Sequence, residues 1–406
     1  MSAGSRRAAF AFIFITVFLD MLAMGIAAPV LPKLITGFQG NNYGSAAHIL
    51  GYFGFTWALM QFVFSPIMGA LSDRFGRKPV AVLSNIGLGL DYIVLALAPS
   101  VGWLFLGRVI NGITSATFST ASAYIADVTP PVGRAAKFGM LGAAFGLGFV
   151  IGPALGGFLG EIDLRLPFWF ASGCGLLNGL YGFFVLPESL PPEKRAKFTW
   201  RTSHPFGALR MLQAYPVVFG LAIAVLLQRI AHDTLTTLLV LYTDYRYGWT
   251  PAMVGALLAG VGVGSMLVAG LLTGPIVKRF GEWRTLTFGM IAGAIGFTIY
   301  GLAPTGTLFL IGLPLLSLWG LAGPAMQSLM TARVGPTEQG RLQGSLSSVT
   351  SLAGMVSPLF ATQSFALAIG PLKSLNLPGL SYLLAAGLVV SALLFAMRTR
   401  NAPVPT

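Results

Sequence analysis

Charge is what this chain has least of. Only 9% of its 406 residues are Asp, Glu, Lys or Arg, against roughly 25% in a soluble domain. So few charges cannot clothe a water-facing surface. Acid is scarcer than base, with 12 Asp and Glu against 25 Lys and Arg. The single cysteine, Cys174, excludes an intrachain disulfide. Three histidines and one cysteine offer no cluster for metal ligation, and no cofactor is expected. No Gly-Lys-Ser/Thr phosphate cradle occurs, which argues against an ATP-driven pump. No nucleophile–base constellation is visible, so the chain does not read as an enzyme.

What fills the sequence is apolar. Hydrophobic residues make up 55%, and there are 52 glycines. Twelve runs reach bilayer length: about 8–30, 48–70, 79–99, 101–126, 136–159, 166–187, 216–242, 251–276, 285–303, 305–331, 342–369 and 376–397. Abundant glycine weakens soluble helices but lets membrane helices approach closely. The first run follows Arg6 and Arg7 as a signal peptide would. It is too long for that, contains Asp20, and is followed by further spans, so it reads as a retained first helix. The expected class is an all-α membrane protein of twelve transmembrane helices.

Lys and Arg set the orientation. With the N-terminus in the cytoplasm, nineteen of the 25 fall on the cytoplasmic side and four on the other, Lys33, Arg165, Arg246 and Lys373. Arg108 and Arg229 lie inside spans. This sorting accounts for the net charge of +13 without nucleic acid. The longest hydrophilic link, Glu188–Ala214, divides the chain into an N-terminal six-helix bundle (1–187), a cytoplasmic linker (188–214) and a C-terminal six-helix bundle (215–406). The halves repeat weakly. Gly69-x-x-x-Asp73-Arg74-Phe75-Gly76-Arg77 returns 205 residues later as Gly274-x-x-x-Lys278-Arg279-Phe280-Gly281-Glu282, and Pro153 returns as Pro358. Such repeats indicate two pseudo-symmetric bundles with a binding site near the midplane.

Three motifs carry a resemblance. The loop Gly69-x-Leu71-x-Asp73-Arg74-x-Gly76-Arg77-Lys78, the segment Leu106-x-Arg108-x-x-x-Gly112 and the segment Gly148-x-x-x-Gly152-Pro153-x-x-Gly156-Gly157 resemble signatures of the major facilitator superfamily. The third resembles that of its drug/proton antiporter branches. Leu19-Asp20 through Pro32, Tyr124-Ile125-Ala126-Asp127 and Gly340 through Ser345 resemble the tetracycline efflux proteins. The resemblance covers essentially the whole chain. It implies the major facilitator fold and proton-coupled export of small amphipathic, tetracycline-like drugs by alternating access. It also implies a bacterial inner-membrane protein, expected as a monomer, with both termini cytoplasmic. Two alternatives stand beside it. One is a proton-coupled transporter of an endogenous sugar, peptide or organic anion. The other is a membrane sensor that keeps the fold without transport.

Ionisable groups inside spans are costly and mark function by default. Asp20 sits mid-span among Phe, Leu and Met, where a buried, unpaired carboxyl would stay neutral until water or a cation arrives. The structural alternative is a protonated Asp bonded to a neighbouring helix. Arg108 needs a carboxylate, and Asp20 and Asp91 are the candidates. Span seven carries Gln228-Arg229-Ile230-Ala231-His232-Asp233; spacing of four pairs Arg229 with Asp233 on one face. Asp20, Arg108, Asp91, His232 and Asp233 are the proton-coupling candidates. Gln61, Asn111, Gln228, Arg229 and Gln327 are the substrate-binding ones. Gly69, Asp73, Arg74, Gly76, Arg77 and Lys78 form an expected conformational latch, with Asp73 against the start of span eleven and Arg77 paired to Asp127. Gly148, Gly152, Pro153, Gly156 and Gly157 form a helix-packing motif, expected to meet span eight.

The sequence departs from the tetracycline pattern in one respect. Those exporters carry a coupling His in helix eight and Asp in helix nine. Here span eight has no His, and Gly293 stands at the expected Asp position. Span seven is the expected substitute.

Overall fold

The computed structural model describes residues 3–115, 117–129, 131–195, 216–334 and 339–400. Side chains at 3–10, 117–118, 131–136, 194, 216–217 and 340–341 are outside that description. Arg6, Arg7, Arg134, Arg341, most of the 188–214 linker and residues 335–338, whose Gly335-Pro336 pair marks an expected turn, therefore lie, wholly or in their side chains, outside the described residues.

Helix dominates, because only internally bonded backbone survives in hydrocarbon. Eleven helices among the described residues are long and apolar enough to cross a membrane. The one expected span outside these eleven, the fourth (101–126), is not continuous. Helix Val101–Thr114 ends at Ser115 (φ −71, ψ 67), and helix resumes as Thr117–Val128. Ser115 has the dihedrals of an inverse γ-turn. The polar run from Thr114 supplies the reason. The Thr114 hydroxyl donates to the carbonyl of Ile110 at 3.0 Å, competing with the helical ladder.

The internal repeat reaches the level of helix ends. Arg77–Leu97 and Glu282–Leu302 share one offset of 205 residues, as do Val101–Thr114 and Gly306–Trp319. The tenth span breaks at Gly320, the counterpart of Ser115, before helix Ala322–Thr331. Gly76 (φ 108) and Gly281 (φ 78) start the third and ninth spans in backbone that only glycine adopts without strain. The eighth span runs Pro251–Leu267, a π-helical turn Val268–Leu272, and Thr273–Phe280.

Packing separates two compact units. The first holds Met1–Phe38, Thr56–His204 and Thr250–Gly262. Its first and fifth spans meet backbone to backbone. An added Cβ at Gly148 would stand 2.8 Å from the Phe18 carbonyl oxygen, and one at Gly152 would stand 2.7 Å from that of Leu22. Gly156 abuts Ile26. Gly157 turns to the eighth span, where its Cβ would stand 2.5 Å from the Pro251 carbonyl oxygen. The motif thus has two faces: Gly148, Gly152 and Gly156, recurring every four residues, meet span one, whereas Pro153 and Gly157 meet span eight, where a Cβ at Gly255 would abut the Pro153 carbonyl. Thr16, Asn85 and Asn178 bridge the first, third and sixth spans through buried hydrogen bonds of 3.1 Å.

The second unit holds Gln39–Phe55, Pro205–Trp249 and Val263–Thr406. Its core is aromatic: Tyr242, Phe309, Tyr300 and Tyr382 are fully buried and pack ring against ring. Residues 43–54 lie along the eleventh span (Gln339–Ile369), where a Cβ at Gly54 would stand 2.7 Å from Pro358 Cγ.

Candidate functional site

In the first unit the intramembrane charges gather around Asp91. Its side chain is fully buried on the third span. Arg108 Nη2 lies 2.9 Å from Asp91 Oδ2, and Asn111 Nδ2 donates to the same oxygen at 2.8 Å. Arg108 and Asn111 sit three residues apart on the short helix Val101–Thr114, so both face the third span. Gly107 makes room, since a Cβ there would stand 2.5 Å from Asp91 Oδ1. Trp57 Nε1 donates to Asn111 Oδ1 at 2.7 Å, extending the chain of contacts to the second span. The pair is incompletely bonded. Asp91 Oδ1 and Arg108 Nε are buried without a hydrogen-bond partner among the described residues. Partly satisfied buried ion pairs are costly. Asp20 is half-buried and lies within electrostatic reach of Tyr92, beside Asp91. Gln61 donates to Ser115 Oγ at 3.1 Å, at the break in span four.

In the second unit the seventh span, helix Pro216–Tyr247, carries the charges. Arg229 Nε lies 3.0 Å from Asp233 Oδ1 and 3.2 Å from Oδ2. His232 Nδ1 lies 3.3 Å from Asp233 Oδ1. The carboxylate is tucked in at 13% exposure, whereas the guanidinium and imidazole side chains are 48% and 50% exposed. His232 also faces Trp319, ring centroids 6.0 Å apart. Trp319 fills the space beside Gly293, where an added Cβ would stand 2.6 Å from the indole Cγ. The position at which the resemblance places a carboxylate is therefore occupied by an indole from the tenth span. Trp319 Nε1 is buried without a hydrogen-bond partner among the described residues. Gln228 and Gln327 are half-buried, and no side-chain hydrogen bond joins either to another described residue.

The 69–78 loop is a third charged centre. Arg77 reaches Asp73 at 2.6 Å, Asp127 at 3.1 Å and Ser72 Oγ at 3.2 Å. Arg74 lies over the Phe75 ring at 5.1 Å, and Lys78 over that of Phe183 at 5.8 Å. Glu188 closes the loop from the end of the sixth span. Its carboxylate accepts from the backbone N–H groups of Arg77 (2.8 Å) and Lys78 (3.2 Å), and of Ser189 and Leu190. Gly69 meets no close approach, since a Cβ there would find no atom within 4 Å. The expected contact of Asp73 with the start of span eleven falls on residues 340–341, whose side chains lie outside the described residues.

The profile of the Major Facilitator Superfamily matches residues 13–358. The chain belongs to this superfamily. The transporter is 37% identical over 351 residues to the class C tetracycline resistance protein of Escherichia coli, covering 86% of its own chain and 88% of that protein. It is 35% identical over 343 residues to the class B protein of Escherichia coli, covering 84% of both. Multidrug resistance protein 2 of Bacillus subtilis is 28% identical over 362 residues, covering 88% of both. Among solved structures, a nucleoside transporter superposes with a TM-score of 0.77 at 13% identity, covering 97% of this chain and all of that one. A human organic anion transporter superposes at 0.70 with 23% identity, covering 98% and 100%. These likenesses establish the major facilitator fold. The protein is a multi-pass integral membrane transporter of small molecules, not an enzyme.

Three residues of the transporter's polar centres were not legible beforehand. Glu188 is 111 residues from Arg77 and looks like part of a hydrophilic link. Its one signal is its place just after the last apolar residue of span six. Trp57 and Trp319 read as ordinary membrane aromatics, and no spacing rule connects Trp57 to Asn111 or Trp319 to Gly293.

Proposed function

We propose that this chain is a proton-coupled exporter of tetracycline-like amphipathic compounds. It works by alternating access as a monomer in the bacterial inner membrane, with both termini cytoplasmic. The observation that carries this reading is the 37% identity, across 86% of the chain, with a tetracycline resistance protein. Asp20 and the Asp91–Arg108 pair supply titratable and counter-charge groups in the first half. Arg229, His232 and Asp233 supply them in the second, in place of the carboxylate lost at Gly293. His232 is suited to the task because imidazole changes charge near neutral pH. Asn111, Gln61, Gln228 and Gln327 supply hydrogen bonds to substrate, and the 69–78 loop with Asp127 latches the cytoplasmic side. A protonmotive force of 100 mV is worth about 2.3 kcal/mol per charge, enough to drive uphill export.

The test is tetracycline accumulation in everted membrane vesicles, with an imposed pH gradient and after its collapse by an ionophore. Gradient-dependent accumulation is expected, and His232→Ala with Asp233→Asn should uncouple it. Movement of sugars or peptides without tetracycline would overturn the reading. One observation favours such a second reading, an endogenous metabolite as substrate. The indole of Trp319 occupies the place of a coupling carboxylate, which changes the chemistry offered to a ligand.

A further inference from the structure

The open face of the seventh span differs from that of a lipid-facing helix. On the ninth span, Glu282–Leu302, the accessible stripe from Phe288 onward continues with Ile291, Ile295, Thr298 and Leu302, uncharged throughout, with the Thr298 hydroxyl bonded to the carbonyl of Ala294 on its own helix, as hydrocarbon requires. On the seventh span, Arg229, His232 and Thr236 are the accessible residues at helical spacing. A guanidinium turned toward lipid at mid-span would be heavily penalised, so this stripe borders water or a ligand.

Arg229 is held in a particular way. Both oxygens of Asp233 approach its Nε, at 3.0 and 3.2 Å. Its two Nη groups have no partner among the described residues. A guanidinium offers bidentate donor pairs in a fixed plane, and the end-on pair formed by Nη1 and Nη2 is the one left open. Asp233 is itself shielded, so the accessible groups of the cluster are a cation and an imidazole rather than a carboxylate. His232 lies one turn along the same stripe. Its Nδ1 faces Asp233, its ring is backed by Trp319, and its Nε2 is unpartnered among the described residues.

We propose that the Arg229 fork is an anion-recognition site, taking the planar carboxylate of a substrate, with Asp233 as the fixed clamp that aims it. Two parallel N–H···O bonds form at Nη1 and Nη2, and the substrate's ring system lies toward His232. No covalent step is involved. The inference rests on the transport reading for its biological meaning, while the binding chemistry is independent of it.

Equilibrium dialysis on the purified full-length protein in lipid nanodiscs tests the binding chemistry. The probes are 1-naphthoate and its neutral isostere 1-naphthamide. Naphthoate should bind at least about tenfold more tightly, the size of effect one charge-assisted bidentate pair supplies. Arg229→Gln should abolish the preference. Arg229→Lys, which keeps the charge but loses the fork, should weaken naphthoate binding about tenfold while the protein elutes normally from size exclusion. Asp233→Asn should weaken naphthoate binding by freeing the guanidinium's orientation. Equal affinity for the two probes, no saturable naphthoate binding, or full affinity in Arg229→Lys overturns the proposal. Tetracycline accumulation in everted vesicles is scored separately. Vesicles that accumulate tetracycline beside a protein that does not distinguish the probes would sink the anion site and leave the transport reading standing. The opposite pattern would do the reverse.

Discussion

Spans three and four, and their copies nine and ten, have the same helix boundaries 205 residues apart and opposite chemistry. The first copy places Asp91, Arg108 and Asn111 in contact. The positions one repeat later are Gly296, Leu313 and Leu316. There the packing is hydrocarbon: a Cβ at Gly296 would stand 2.8 Å from Leu316 Cγ. The loops differ likewise. The third span begins with Arg77 and Lys78, two cations at the positive end of a helix dipole, and imports Glu188 to offset them. The ninth begins with its own acid, Glu282. Backbone geometry has been kept where charge has not. The scaffold is symmetric because helix length, glycine starts and packing fix it. The polar chemistry is not: the cluster of Arg229, His232 and Asp233 in the second unit lies on span seven, outside the repeat copies of Asp91 and Arg108.

The sharpest way to break this contrast is to make the first copy resemble the second. Arg108→Leu strands a fully buried carboxylate, and removing one partner of a buried ion pair costs about 3–5 kcal/mol. A large fall in detergent melting temperature is expected. Adding Asp91→Asn should restore most of it without restoring transport, whereas no recovery would mean that the pair is not the source of the loss. The next effect separates the two loops. Glu188→Gln removes a charged acceptor from two helix-start N–H groups, worth about 1–3 kcal/mol. Glu282→Gln should cost under about 1 kcal/mol, the scale of a dipole interaction with one long, exposed hydrogen bond from Ser328 beside it. Equal melting shifts would show that Glu188 is not the carboxylate that caps the third span. The smallest effect should be symmetric. Arg74 over Phe75 and Arg279 over Phe280 are the same exposed contact in both copies, at 5.1 and 5.5 Å. Replacing either arginine with Gln should shift stability by less than about 1 kcal/mol, and by the same amount. A transport defect confined to Arg74→Gln would show that the first loop uses that cation for something besides packing.

Most of the scaffold was legible because it is written in local terms. Apolar runs give the spans, and the 205-residue offset gives the repeat. The break at Ser115 was not, because the polar run Thr114–Thr120 scores as one more stretch of a span; only the backbone shows the ladder interrupted. At the candidate site, spacing of four revealed the Arg229–Asp233 pair, since one helix carries both. Spacing could not choose between Asp20 and Asp91 for Arg108, because that choice belongs to helix packing. The glycine motif at 148–157 was recognisable as a close-contact surface, but which helix each glycine meets depends on rotation about the helix axis. Trp319 stayed hidden for a related reason. A missing carboxylate at Gly293 is visible in sequence, whereas what fills the gap comes from another span.

The interruption at Ser115 divides the working parts of span four. Arg108 and Asn111 stand on one piece, and Asp127, which holds Arg77, stands on the other. An unbroken helix would carry a tilt at the loop end straight into the intramembrane ion pair. A jointed one need not, since the φ and ψ of a residue outside the ladder are its softest rotations. The contact of Asp127 with Arg77 and that of Arg108 with Asp91 therefore sit on separate helical pieces. Span four is then less a lever than a coupling, with a place between its two grips where motion can be taken up.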